Sequence, residues 1–257
     1  MRAVLAALFS IACLAAHAEG LPLRMEVQGS GERTVIFEAG LGDNYSVWQQ
    51  VQSKVANHCA RTVSYTRAGY PGSPRSRAPR DAETIVEELR AALHNRGIEP
   101  PYVLVGHSLG GLYMQYFARN YPDEVTGLLL VDSTHWDHLE RLQAEAAATY
   151  RTVRALSVLL LPIMRRELAD AALAGEQVVA SPPPRNMPTI VLSSTRAALI
   201  TSGSAWALLG RMQDEIAAAF PGSQHIRVEN SGHYIQRDRP EVVIEAARAL
   251  AGCAERW

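Results

Sequence analysis

Three features of this chain predict an α/β fold in which a mostly parallel sheet carries helices on both faces. Runs such as Tyr102–Val105 and Leu128–Val131 are continuously apolar and of strand length, as strands buried on both faces require. These runs alternate with segments of helical apolar spacing, the rhythm of a sheet built by crossover connections. One run breaks at Gly106-His107-Ser108-Leu109-Gly110-Gly111 and continues into a helical pattern. That is a G-x-S-x-G turn between strand and helix, which exposes its Ser at a sharp apex.

The elements follow in order. Met1-Arg2 and the apolar stretch Ala3–Ala16 lead to Ala16-His17-Ala18, small residues at signal-peptidase spacing. Residues 1–18 are therefore expected to be a secretory signal, too short to span a bilayer. Cys13 within it lacks the preceding aliphatic residue of a lipoprotein site, having Ser10 there instead. Residues 21–33 are expected to form an antiparallel edge. Thr34–Phe37 is a strand ending at Glu38-Ala39-Gly40-Leu41-Gly42, and Tyr45–Asn57 has helical spacing through Val47, Val51 and Val55. Arg61–Tyr65 is a strand that runs into a loop rich in Gly, Pro, Ser and Arg. Asp81 caps a helix reaching about Asn95, with Ile85, Leu89 and Leu93 on one face. Tyr102–Val105 precedes the elbow, Ser108–Asn120 follows it as helix, and Gly127–Asp132 is the next strand. Two more strands are expected at Pro188–Ser193 and His225–Glu229, with helices over about Ala205–Phe220 and Pro240–Ala251. The segment from His135 to about Met187 breaks the rhythm. It is helical in composition, ends at Ser181-Pro182-Pro183-Pro184, and is expected to be an inserted helical cap in a single domain of residues 19–257. Its apolar run around Ser157–Met164 is expected at the pocket entrance, with a capacity to touch a lipid surface.

Composition narrows the functions. The chain has 25 basic and 26 acidic residues, a net charge of −1 with His neutral. That leaves no basic field for nucleic acid or for overall steering onto an anionic membrane. His135 and His138, with Asp132 and Asp137 near them, match no established metal-ligand spacing, so no metal is expected. Beyond the signal only Cys59 and Cys253 remain, and two cysteines in an exported chain predict one disulfide. Export places the protein in the periplasm or outside the cell.

A Ser hydroxyl is a weak nucleophile and needs a base, usually His. Ser231-Gly232-His233-Tyr234 follows a predicted strand, where an open parallel sheet presents its chemistry, so His233 is the candidate base. His107 adjoins the Ser and is expected to turn into the packing beside the elbow. The Leu109 amide, just past Ser108, is one candidate oxyanion donor. The Leu41 amide, in the Gly-bracketed loop after an earlier strand, is the other.

These motifs resemble the α/β-hydrolase superfamily, in its cap-bearing esterase and lipase group. The resemblance rests on Gly106–Gly111, on Ser64-Tyr65-Thr66-Arg67-Ala68-Gly69-Tyr70, on the order Ser, acid, His, and on Ser231-Gly232-His233. It implies an eight-stranded sheet, hydrolysis through an acyl-enzyme, and no cofactor. Thr66 stands where many members have Asp, so Arg67 is expected to lack a partner there. The late strand that usually precedes the catalytic acid ends Leu192-Ser193-Ser194-Thr195, with no carboxylate. In this fold the strand beyond the elbow strand ends at Asp132, a position where some members carry the acid. Asp132 is therefore expected to complete the triad, with Asp214 and Glu215 as helical rivals. In this fold, too, the helices before Cys59 and Cys253 cover one face. The leading expectation is an exported serine hydrolase acting on carboxylic esters. The alternatives are C–C or peptide hydrolysis on the same residues, or a non-catalytic binding protein on a hydrolase fold.

Overall fold

The computed structural model describes residues 21–56, 60–199 and 201–253. The expected signal segment and Cys59 lie outside these residues. Seven strands form one sheet in the order β1-β3-β2-β4-β5-β6-β7. They are β1 (Met25–Gln28), β2 (Arg33–Glu38), β3 (Ala60–Tyr65), β4 (Tyr102–His107), β5 (Val125–Val131), β6 (Thr189–Ser194) and β7 (Gln224–Val228). Only β1 is antiparallel, and it borders β3 as the expected edge. The sheet has seven strands among the described residues where the resemblance implied eight. The difference lies before β2, where one four-residue strand forms and residues 21–24 ahead of it are irregular.

Alternation along each central strand divides the apolar residues between two cores. Val35 and Phe37 of β2, Val103 and Val105 of β4, and Leu129 and Val131 of β5 face one side. Ile36, Leu104, Leu128 and Leu130 face the other. Period-two geometry forces this split, and apolar residues at both parities force a cover on both faces. The first face is closed by Trp48, by Val51 and Val55 of α1 (Gln49–Val55), and by Val243, Ala246 and Ala247 of α9 (Pro240–Leu250). The second is closed chiefly by α2 (Ala82–His94) and α3 (Leu109–Asn120). Asp81 caps α2 as its sequence position predicted, accepting a bond of 2.9 Å from the Thr84 amide.

Three helices stand between β5 and β6: α4 (His138–Glu145), α5 (Ala147–Leu156) and α6 (Pro162–Ala180). Ala174 and Val178 of α6 join the core over α3. Leu142 and Ala146 pack instead on Ala205, Leu208 and Met212 of α7 (Gly203–Ala219), forming a small satellite core. The turn between α5 and α6 does not line the pocket as expected. Val158, Leu159 and Leu161 point into solvent, and only Ile163 and Met164 turn inward, towards Gly69 and Gly42.

The strand order reverses at β2 and β4, the crevice where open α/β sheets bind ligands beyond their carboxyl ends. The loops after β2, β4, β5 and β7 carry Leu41, Ser108, Asp132 and His233.

Candidate active site

Ser108 sits at φ 52°, ψ −124°, between β4 and α3. A non-glycine residue there stores about 1–3 kcal/mol of strain and persists only because its surroundings fix it. Gly106 is one such constraint. A Cβ at that position would stand 2.7 Å from the Gly110 carbonyl oxygen and 2.7 Å from the Gly111 Cα. The Ser108 amide also donates to Val131 O at 3.1 Å, tying the turn to β5.

The structure brings three of the expected side chains into one line. His233 Nε2 lies 3.0 Å from Ser108 Oγ. Its Nδ1 lies 2.6 Å from Asp132 Oδ2. An ionised carboxylate can only accept, so Nδ1 carries the proton and Nε2 offers its lone pair to the Ser hydroxyl. Asp132 is at φ 44°, a left-handed position that Asp tolerates, and its amide donates to Leu192 O at 2.7 Å. Its carboxylate accepts from the Ser194 amide at 2.9 Å and the Ser194 hydroxyl at 3.1 Å. Burial works against the charge on Asp132, but the bonds from His233 and Ser194 hold its carboxyl below the ordinary Asp value. The rivals are engaged elsewhere. Asp214 pairs with Arg227 and His225, and Glu215 with Arg141 and His135.

Sequence reasoning missed Ser194. The Ser-Ser-Thr run at the end of β6 read only as the absence of an acid, whereas Ser194 orients the acid on the neighbouring strand. It also missed the full part played by His107. That ring is buried, and its Nε2 lies 2.9 Å from the His233 carbonyl oxygen. A carbonyl cannot donate, so Nε2–H does, and His107 holds the backbone of the base. Burial first, and the neighbouring His233 second, lower its pKa to about 3 and keep it neutral.

The loop after β2 lies against the elbow, since a Cβ on Gly40 would stand 3.2 Å from Ser108 Cβ. Within that loop the Asp43 amide donates to Gly40 O and the Gly42 amide to the Tyr70 hydroxyl. The Leu41 amide takes part in neither bond. The Leu109 amide opens α3, where first-turn N–H groups have no partner within the helix.

Arg67 has no bond to Thr66, as expected, but it finds its partners elsewhere. Its Nη1 donates to Glu38 Oε1 and to Ala39 O, both at 2.6 Å. Its Nε and Nη2 grip Glu167 of α6 at 2.7 and 2.8 Å, and Nη2 also reaches Gly40 O at 2.9 Å. Tyr65 bonds Glu38, and Tyr70 donates to Glu167 Oε2 at 2.7 Å. All three charged side chains are buried. Burial pushes Glu38 up to about 7 against the pull of Arg67. The missing Asp at position 66 is thus replaced in space by a carboxylate from β2 and another from the inserted helices. Gly40 O belongs to the same peptide as the Leu41 amide. In a planar trans peptide, holding the oxygen on one side turns the N–H to the other.

A cavity of about 560 Å³ opens beside Ser108, Asp132 and His233. Ser133, Thr134 and His138 line one side, and Trp206, Leu209 and Met212 of α7 another. Its wall is mixed, since α7 also contributes Arg211, Gln213 and Asp214 to the lining. No group of His, Cys, Asp and Glu suited to a metal ion occurs among the described residues.

The profile of the alpha/beta hydrolase family matches residues 35–246. The chain belongs to the alpha/beta hydrolase family. Among curated relatives it is 26% identical over 231 residues to the uncharacterised YqjL of Bacillus subtilis, covering 84% of this chain and 82% of that protein. It is 28% identical over 242 residues to the pimeloyl-[acyl-carrier protein] methyl ester esterase of Chromobacterium violaceum, covering 86% and 87%. Of solved structures, a thermophilic esterase from Thermogutta terrifontis superposes with a TM-score of 0.65 at 21% identity, over 89% of this chain and 92% of that one. That structure shares the fold described above.

Proposed function

We propose that this alpha/beta hydrolase is an exported serine esterase, with Ser108 as nucleophile, His233 as base and Asp132 as orienting acid. The observation that carries this reading is the line Ser108 Oγ, His233 Nε2, Nδ1, Asp132 Oδ2, with separations of 3.0 and 2.6 Å. Ser108 attacks the ester carbonyl while His233 takes its proton. The imidazolium that forms faces Asp132, whose carboxylate is already ionised. Negative charge on the carbonyl oxygen meets the Leu41 and Leu109 amides. His233 returns the proton to the departing alkoxide, which leaves as the alcohol, and an acyl group remains on Ser108 Oγ. Water, deprotonated by the same His233, then releases the acid. No cofactor enters this scheme.

The ester class draws support from the family, and from a relative whose name is that of a methyl ester esterase. The cavity accommodates a small or medium group rather than a long chain lying along the α5–α6 turn, which faces away from it. Export rests on residues 1–18. A bridge between Cys59 and Cys253 fits the close packing of α1 on α9, where Arg248 at the end of α9 donates to Lys54 O at 2.7 Å.

The test is labelling by a fluorophosphonate probe together with turnover of short nitrophenyl esters. The wild-type protein is expected to label at Ser108 and hydrolyse the esters, and folded Ser108→Ala to do neither. Undiminished turnover by that variant would overturn the mechanism. A wild-type protein that neither labels nor turns over any ester would instead support a binding role.

A further inference from the structure

The turn joining α5 to α6 carries its apolar side chains outward. Leu156, Val158, Leu159 and Leu161 are 46%, 67%, 80% and 53% exposed. A single exposed Leu is ordinary, but four within six consecutive residues make one patch. The charge around them has one sign. From Ala146 to Arg166 the chain has four arginines and no acidic residue. A second stretch without acids, 66–80, contains Arg75 and Arg77.

The fold brings the two stretches together. Arg166 donates to Ser76 O at 2.8 Å, to Arg77 O at 3.1 Å and to Ala78 O at 2.6 Å. Arg166 is spent as the clamp. Arg75, Arg77, Arg151, Arg154 and Arg165 stay exposed, and none of the five appears in an ion pair among the described residues. Glu88, near Ser76, is paired with buried Arg80. The net charge of −1 conceals this local excess.

We propose that the α5–α6 tip docks this protein onto an anionic lipid surface. Val158, Leu159 and Leu161 enter the boundary between headgroups and acyl chains, and the arginines meet the phosphates, laying their aliphatic stems along the apolar patch. A second copy of the chain is a poor occupant, because two such tips would bring ten unpaired arginines together. Ile163 and Met164, directly after the tip, turn inward to Gly69 and Gly42, so the docked end is also the end that carries Ser108. The proposal rests on this surface and not on the proposed reaction.

The protein from residue 19 onward is tested by co-sedimentation with vesicles of phosphatidylcholine alone and of phosphatidylcholine with one third phosphatidylglycerol. Binding to the anionic vesicles is expected to be at least tenfold stronger, and to fall at least tenfold in high salt. Val158→Ser/Leu159→Ser and, separately, Arg151→Gln/Arg154→Gln are expected to weaken it at least tenfold. Both variants should keep wild-type circular dichroism and wild-type turnover of a soluble ester. Absence of binding, equal binding to both vesicles, or unchanged binding by the variants would overturn the proposal. So would an oligomer that either double variant dissolves, which would assign the patch to a protein contact. Loss of ester turnover by Ser108→Ala leaves the vesicle result unaffected, so the two proposals fail separately.

Discussion

Replacing Glu167 by Gln tests whether the inserted helices hold the loop that carries the Leu41 amide. Glu167 Oε1 accepts from Arg67 Nε, and Oε2 from Arg67 Nη2 and the Tyr70 hydroxyl, all within 2.8 Å and all buried. Gln keeps one acceptor oxygen and turns an NH2 group towards donors. Losing one buried partner of an ion pair costs about 3–5 kcal/mol, and Arg67 retains Glu38, so the lower half of that range is expected. A urea titration of both proteins reads this loss as a lower midpoint at unchanged slope. Arg67 also holds Gly40 O, so its loosening disorders the peptide that presents the Leu41 N–H. Complete loss of one oxyanion donor costs about 10²–10³ in kcat. Partial loss is expected to lower kcat about tenfold on a nitrophenyl ester, with KM changed less than twofold. A midpoint within experimental error of wild type would refute the account of the buried network. A destabilised variant with wild-type kcat would refute the link from Arg67 to the oxyanion loop.

Three further outcomes follow from the site and its surroundings. Asp132→Asn presents an NH2 or a neutral oxygen to His233 Nδ1, favours the wrong tautomer, and is expected to lower kcat by about 10³–10⁴ with the fold intact; near-normal activity there, with activity lost in Asp214→Asn, would move the acid to Asp214. Burial lowers the His107 pKa from 6.5 to about 3, so below pH 6.5 the unfolded chain binds a proton that the folded one does not. The folded state then loses up to about 1.4 kcal/mol per pH unit between those values. His107→Gln removes that dependence, and since Glu38 titrates in both proteins, the difference between their urea midpoints from pH 7 to 4 isolates His107. Mass spectrometry of the unreduced protein is expected to find Cys59 and Cys253 joined, and Cys59→Ser to cost about 2–5 kcal/mol; two alkylatable thiols in the native protein would refute the bridge.

What the sequence made legible was local. The Gly106–Gly111 segment contains its strand, its turn and its helix, and the glycines are where backbones meet. His233 was readable because it follows a Ser-Gly pair in the loop just after a strand, and Asp132 because the β6 terminus lacks a carboxylate. The partners that Arg67 does have were not readable, because they lie 29 and 100 residues away in the chain and only packing brings them together. Ser194 escaped notice for the same reason, since its bond to Asp132 depends on the register of β5 against β6. The α5–α6 tip has the composition of a buried turn. Nothing in its periodicity distinguishes a face that meets the sheet from one that meets solvent.

Asp132 at the end of β5 has a consequence for how the site assembles. Ser108 and Asp132 are separated by only α3 and one strand, so a single crossover unit contains both. The unit is closed by the bond from the Ser108 amide to Val131 O and by the bond from the Thr134 amide to Ser108 O. Contacts of such short sequence separation form quickly, while His233 must arrive from more than a hundred residues away. Nucleophile and acid can therefore be in place in a partly folded chain, and completion of β7 and its loop arms the site last. The chemistry is withheld until the sheet is complete.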